Sequence, residues 1–281
     1  MLVTNDVALI TFVPFTCSLL QRDDQRKILL RIVVIEAAAA NLGSMATPIG
    51  NPQNLYLYST YSFSLGTFFK TILPIVGISY IGLLFSLLLI PQQPLAAEIP
   101  TESHLPLSAQ KKNLIIYSIL GVVCLATVAG LVTHVVCFCV VLLGMIVTDR
   151  ALIRRVDWEL LLTFVCFFLF SGNLQQIESV RNLMMQGLSG GVCLTAALVS
   201  QVISNVPAAV LLSGFTEQGK ELLLGVDIGG LGTPIASLAS LIAYQYYTKS
   251  KLANFTKYLQ FFFIYQFVGL FLLLAIKSIM L

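Results

Sequence analysis

Three carboxylates, Asp6, Glu36 and Asp227, lie in or beside long apolar stretches. Inside a bilayer a charge costs at least ~2.5 kcal/mol, so an acidic residue kept there points to binding or transport rather than packing. Asp227 opens the segment DIGGLGTPI (227–235), and Asn41 holds the same place in NLGSMATPI (41–49). Gly43 and Gly229, Thr47 and Thr233, Pro48 and Pro234, and Ile49 and Ile235 coincide at one offset of 186. Asp227 is therefore the strongest candidate for a cation or proton site. Asp6 reads as readily as a helix cap, and Glu36 as a partner of Arg31 or a group facing a cavity.

Both segments are rich in helix breakers. Gly43, Pro48, Gly50 and Pro52 interrupt the first, and Gly225, Gly229, Gly230, Gly232 and Pro234 the second. One proline in a helix interior costs ~3 kcal/mol. Backbone that leaves the helix inside a bilayer needs partners from protein or a water-lined cavity. Small residues also serve plain close packing in membrane helices, but two breaks at repeat-related positions favour a binding site whose freed carbonyls and half-helix ends meet a solute.

A second pair of repeats flanks the first. TNDVALITFVPF (4–15) resembles SNVPAAVLLSGF (204–215), and both are short apolar elements. Thr4, Asn5 and Asp6, and likewise Ser204 and Asn205, are expected to start half-helices, with Pro207 in the first turn, where its missing N–H costs nothing. Free N–H groups at such an end favour an anion. Side-chain and carbonyl oxygens at Asn5, Asn205 and Asp227 would instead suit Na⁺.

The elements that must position these residues are membrane helices. Of 281 residues, 57% are hydrophobic and 10% charged, which excludes a soluble enzyme, a nucleic-acid binder and a single-anchor protein. About eight or nine apolar stretches near the ~20 residues needed to span a bilayer are expected. Their order is 6–20, 28–60 with the first break, 71–90, then after a polar loop (91–112) 113–131, 134–149 and 158–173. A connection through Arg181 follows, then the pair 190–203 and 206–215, the broken stretch 221–248, and 255–281. Residues 1–60 and 174–248 would form two repeats of one domain, 61–173 scaffold and linking helices, and 249–281 a last span. The connections at 21–31, 111–112, 150–155 and 249–257 carry twelve Lys and Arg, and the other side four: Lys70, Arg181, Lys220 and Lys277. The rich side is expected to be cytoplasmic, which makes the repeats inverted. Asn173, Gln175 and Gln176 read as interfacial, the aromatic run 259–267 as lipid-facing or interfacial, and the six cysteines as packing residues. No HExxH, GxSxG or GxGD motif points to an intramembrane enzyme.

The segments ANLGSMATPIGNPQNLY, LVTNDVALITFVP, VDWELLLTF, SNVPAAVLL and GVDIGGLGTPIASLASLIAY resemble the ion transporter superfamily, in its citrate-transporter-like branch with the arsenite-pump permeases and NhaD-type antiporters. The NPQN ending is similar to the YbiR-like anion permeases. The resemblance implies an all-α polytopic inverted-repeat carrier with two re-entrant hairpins and two broken helices, working as an elevator. It implies ion-coupled movement of a small inorganic oxyanion or carboxylate across the cytoplasmic membrane. Sodium:proton antiport or arsenite efflux are alternatives on the same fold. By the same resemblance, Thr4, Asn5, Asp6, Asn41, Gly43, Thr47, Pro48, Gly50, Asn51, Ser204, Asn205, Pro207, Asp227, Gly229, Thr233, Pro234 and Ser237 line the site. Implied partners are the small anion, Na⁺ or H⁺, the bilayer and a second copy in a homodimer, with no cofactor and no nucleic acid. The hairpin tips lack the full Ser-Asn-Thr triplet of the dicarboxylate branch. Family members also carry scaffold helices and a first hairpin arm before the Thr-Asn-Asp tip, so the chain is expected to be missing about a quarter of a transporter, and a non-transporting remnant is the alternative of another class.

Overall fold

The computed structural model describes residues 4–91, 107–128, 130–148, 150, 153, 156 and 158–280, and among these every regular element is helical. The helices are α1 (Asn5–Leu19), α2 (Arg26–Ser44), α3 (Pro52–Thr60), α4 (Leu65–Leu88), α5 (Leu107–Val128), α6 (His134–Thr148) and α7 (Trp158–Gln176). They continue with α8 (Glu178–Ser189), α9 (Val192–Ile203), α10 (Asn205–Ser213), α11 (Gly219–Ile228), α12 (Leu238–Thr248) and α13 (Phe255–Met280). The chain forms two compact units, one of residues 1–97 and 166–281 and the other of 98–165.

Helix ends fall where the breakers stand. α2 stops at Ser44 and α3 starts at Pro52, with the Asn51 side chain accepting from the Asn54 N–H as an N-cap. α11 stops at Ile228, a short 3₁₀ turn covers Pro234–Ala236, and Ser237 caps α12 by accepting from the Ala239 N–H. Gly232 sits at φ +110°, a conformation that disfavours any residue with a Cβ. The hairpin of α9 and α10 turns at Ser204, which itself adopts φ +74°.

These breaks alter the expected count of spans. Among the described residues, only α4 and α13 are long and apolar enough to cross a membrane alone, and α7 with α8, bent by 91°, makes a third candidate. The other apolar stretches are interrupted and come out as shorter helices, giving a polytopic membrane protein with few straight spans. Two boundaries also move. The expected connection through Arg181 is the helix α8, set off by the extended backbone of Ile177; its Leu188 is buried while Glu178, Arg181 and Gln186 stay exposed. The polar end of loop 91–112 is already helical from Leu107, because Ala, Gln and Lys are good helix formers. The rest of that loop, with Arg154 and Arg155 of the basic clusters, lies outside the described residues.

The larger unit has two buried clusters. One gathers α3, α4, α9, α10 and α11 around Phe68, Ile72, Ala196 and Leu222; the other gathers α1, α2, α12 and α13 around Leu29, Val33, Tyr247 and Tyr258. α2 serves both, and its run Ala37–Ala40 keeps the approach close. Gly225 and Gly229, four apart, let α11 lie against α9: a Cβ on Gly225 would stand 2.5 Å from the Cys193 carbonyl oxygen, and one on Gly229 2.8 Å from Ala197 Cα. The outward faces are apolar, as lipid requires, with Ile81 67% and Phe271 64% exposed. The aromatic run 259–267 departs from expectation at Phe262 and Gln266, which with Tyr258 recur every four residues on one face of α13 and are buried, while Phe263 and Ile264 stay exposed. In the smaller unit α5 packs on α6, and Cys137 Sγ lies 3.9 Å from Cys124 Sγ rather than pairing with its neighbour Cys139.

Candidate functional site

The two breaks are bonded to each other through side chains that the sequence places in equivalent positions. Asn41 stands in the last turn of α2 with its amide reaching the second break: Nδ2 donates to the Gly230 carbonyl (3.2 Å) and Oδ1 accepts from Ser237 Oγ (2.6 Å). Asp227, its counterpart at the offset of 186, reaches the first break, where Oδ1 accepts from Asn51 Nδ2 (3.2 Å) and Gln53 Nε2 (3.3 Å). Asn51 and Ser237 are themselves counterparts at that offset, and each caps the second half of its broken helix. Asn41, Asn51, Gln53 and Asp227 are all buried, so this lattice works at low dielectric, where each bond is stronger and each missing bond more costly.

The starts of α1 and α10 dock on equivalent carbonyls of the two breaks. The Asn5 N–H donates to the Gly50 carbonyl (3.2 Å), and Ser204 Oγ donates to the Ala236 carbonyl (3.3 Å). Gly50 and Ala236 again differ by 186, each just before a cap. Thus the first N–H of α1 is taken by protein rather than free, and neither Thr4 nor Ser204 caps its helix with a side-chain bond. Gly50 is forced by space: a Cβ there would lie 2.0 Å from the Ser44 carbonyl oxygen. Asn205 reaches the second break at Gly230, where an added Cβ would come within 3.0 Å of Asn205 Nδ2 and 3.9 Å of Asn41 Cγ.

Unsatisfied acceptors mark what the lattice leaves open. Among the described residues, Asp227 Oδ2, Asn54 Oδ1, Asn5 Oδ1 and Asp6 Oδ1 are buried without a hydrogen-bond partner. Buried oxygens of this kind call for a water, a proton or a cation. Glu36 stands apart. Its Oε1 accepts from Thr16 Oγ1 (2.5 Å) rather than pairing with Arg31, whose guanidinium lies 5.9 Å from the Phe261 ring centroid, and its Oε2 is unpartnered.

The candidate residues therefore divide. Asn41, Gly50, Asn51, Ser204, Asn205, Asp227 and Ser237 converge on the two breaks. Thr233 and Pro234 line the hairpin side of the second break, Gly43 and Thr47 supply carbonyls that close the turns of the first, and Pro48 and Pro207 are buried. Gly229 serves helix packing. The Thr4, Asn5 and Asp6 side chains make no hydrogen bond to Asn41, Asn51 or Asp227.

Comparison with known proteins gives the family. The model of a family described as citrate transporter matches residues 1–217, which hold the first break and the second hairpin. The chain belongs to the citrate transporter family. Among relatives, an uncharacterized transporter of Methanocaldococcus jannaschii is 32% identical over 242 residues, covering 86% of this chain and 65% of the relative. The inner membrane protein YbiR of Escherichia coli is 32% identical over 249 residues, covering 85% and 64%. The chain thus spans slightly under two thirds of the length of each.

In this member of the citrate transporter family, sequence reasoning missed the residues that hold the breaks open. Gln201 of α9 donates from Nε2 to the Gly229 (2.8 Å) and Leu231 (3.0 Å) carbonyls and accepts the Thr233 N–H at Oε1 (2.8 Å). Asn54 does the same for the first break, donating to the Met45 (3.2 Å) and Thr47 (3.3 Å) carbonyls. Gln175, expected at an interface, donates to the Val210 and Leu211 carbonyls of α10, both at 3.2 Å. The available signal was a lone amide side chain within an apolar helical run, as Gln201 stands in VCLTAALVSQVI.

Proposed function

We propose that the protein is a secondary active transporter that moves a small anion, an inorganic oxyanion or a carboxylate, across the cytoplasmic membrane by alternating access coupled to Na⁺ or H⁺. Inverted repeats would give the site its two-sided access. The observation that carries this reading is the reciprocal bonding of two broken helices with buried oxygens left open between them. The half-helix starts of α3, α10 and α12 offer N–H dipoles to an anion, while Asp227 Oδ2, with Asn5 and Asn205, offers oxygen to a cation. The relatives' names, a transporter and an inner membrane protein, support the same class and the same membrane.

Binding tests the site directly. Protein in neutral detergent is titrated with citrate, phosphate and arsenite, with and without Na⁺, by calorimetry, and flux follows in proteoliposomes. Saturable anion binding that weakens at least tenfold in Asn205→Ala is expected, since a buried polar partner is lost; unchanged binding refutes the site assignment. A second reading, cation:proton antiport, is favoured by the open oxygen of Asp227. It predicts pH-dependent Na⁺ flux without any anion, abolished by Asp227→Asn, and a wild-type flux in that variant removes it.

A further inference from the structure

A cleft of about 420 Å³ opens where the C-terminal ends of α1 and α12 meet, lined by Ser18, Gln21, Lys249, Ser250 and Lys251 among others. α1 carries it well away from the helix breaks, because fifteen residues of helix rise roughly 20 Å between the Gly50 contact and Leu19. Its charge is unspent. Among the described residues, neither Lys249 nor Lys251 has a carboxylate within 4.0 Å, and Lys249 Nζ lies 5.0 Å from the centroid of the Tyr246 ring. Two helix C-termini bring about half a negative charge each and the two lysines a full positive charge each, so these rim groups sum to about one positive unit. Gln21 and the Ser250 hydroxyl, which accepts from the Leu252 N–H and keeps its own hydrogen, add donors beside those ammonium groups.

The cleft is also amphiphilic. Pro14, Tyr246 and Leu252 form its apolar wall, and α1 continues from it along the Pro14 face with Ile10 48% and Val7 50% exposed. A free inorganic anion would use only the basic rim, whereas a phospholipid would use the rim for its phosphodiester and the flank of α1 for its acyl chain. We propose that this cleft binds the phosphate headgroup of an anionic phospholipid at the membrane surface, a site separate from the one between the helix breaks. Basic pockets between membrane helices are known to hold anionic headgroups.

The test uses the full chain in dodecyl maltoside, its thermal unfolding followed against rising mole fractions of phosphatidylglycerol, phosphatidylcholine, or inorganic phosphate at matched ionic strength. Phosphatidylglycerol is expected to raise the melting temperature saturably and phosphatidylcholine not to. Each lysine contributes about fivefold in affinity near a membrane surface, so Lys249→Gln with Lys251→Gln should weaken the phosphatidylglycerol dependence roughly thirtyfold. Both lysines are exposed and form no ion pair among the described residues, so the double variant keeps the lipid-free melting temperature. A control pair on other surfaces, Lys70→Gln with Lys220→Gln, should leave the dependence unchanged. Equal stabilisation by phosphatidylcholine, a wild-type response in the Lys249/Lys251 variant, or loss of response in the control pair overturns the proposal. Full protection by inorganic phosphate alone assigns the cleft to a soluble anion and overturns its lipid identity.

Discussion

Replacing two glutamines by leucine should have opposite effects on stability, although both lie on apolar helices. Gln201 makes three bonds to the second break, to the Gly229 and Leu231 carbonyls and from the Thr233 N–H, at 2.8–3.0 Å. Each such bond contributes a net ~1 kcal/mol, and a backbone group left buried without a partner costs ~1–3 kcal/mol. Gln201 is only partly buried, so water recovers some of that loss, and Gln201→Leu is expected to destabilise by about 3 kcal/mol. Gln266 on α13 is fully buried, and neither amide atom has a partner among the described residues. Removing an unpaired buried amide at similar volume relieves desolvation, so Gln266→Leu should leave stability unchanged or raise it by about 1 kcal/mol. Equilibrium unfolding in mixed dodecyl maltoside and sodium dodecyl sulfate micelles, followed by far-UV circular dichroism, gives both values. A Gln201→Leu cost below about 0.5 kcal/mol, or an equal cost at Gln266, refutes the assignment of Gln201 as the staple of the break.

Glycines separate in the same way. Gly50→Ala should destabilise by about 3 kcal/mol or abolish expression, because its Cβ meets the Ser44 backbone oxygen, whereas Gly77→Ala, with nothing within 4 Å, should be neutral or stabilising by up to ~1 kcal/mol; thermal unfolding compares them. Thr16→Val removes the recorded donor to Glu36 and should cost about 1–3 kcal/mol, and adding Glu36→Leu should recover most of it, measured as a double-mutant cycle. Lys277 on α13 pairs with Glu221 of α11 in a partly buried ion pair, so Lys277→Met should lower the melting temperature, and added salt should narrow its gap from wild type.

Much of the fold was legible because its signals are local. Apolar runs, Gly and Pro clusters and the 186-residue offset marked α1, the α9–α10 hairpin and both breaks, and the polar pairs Thr4-Asn5 and Ser204-Asn205 placed two helix starts within a residue or two. Span length was less legible, since a break, a bend at Ile177 or a hairpin tip shortens a helix without altering its composition. The aromatic run on α13 misled for a related reason. Its Phe, Tyr, Leu and Ile residues are apolar enough for lipid, and only the neighbours of α13 decide that Phe262, with Tyr258 just before the run, turns inward.

The sequence by itself determined that this is a polytopic helical membrane protein of the citrate transporter family, with repeated broken elements and Asn41 and Asp227 in matching places. Hydrophobic length, breaker residues and repeats act over a turn or two of chain, so they survive without coordinates. Tertiary structure alone decided the partners: that Asn41 bonds the second break and Asp227 the first, that Gln201 and Asn54 satisfy the freed carbonyls, and that Glu36 takes Thr16 instead of Arg31. Those contacts join residues as far as 196 positions apart, and hydrogen bonds are decided by distances of a few tenths of an ångström that no one-dimensional pattern encodes.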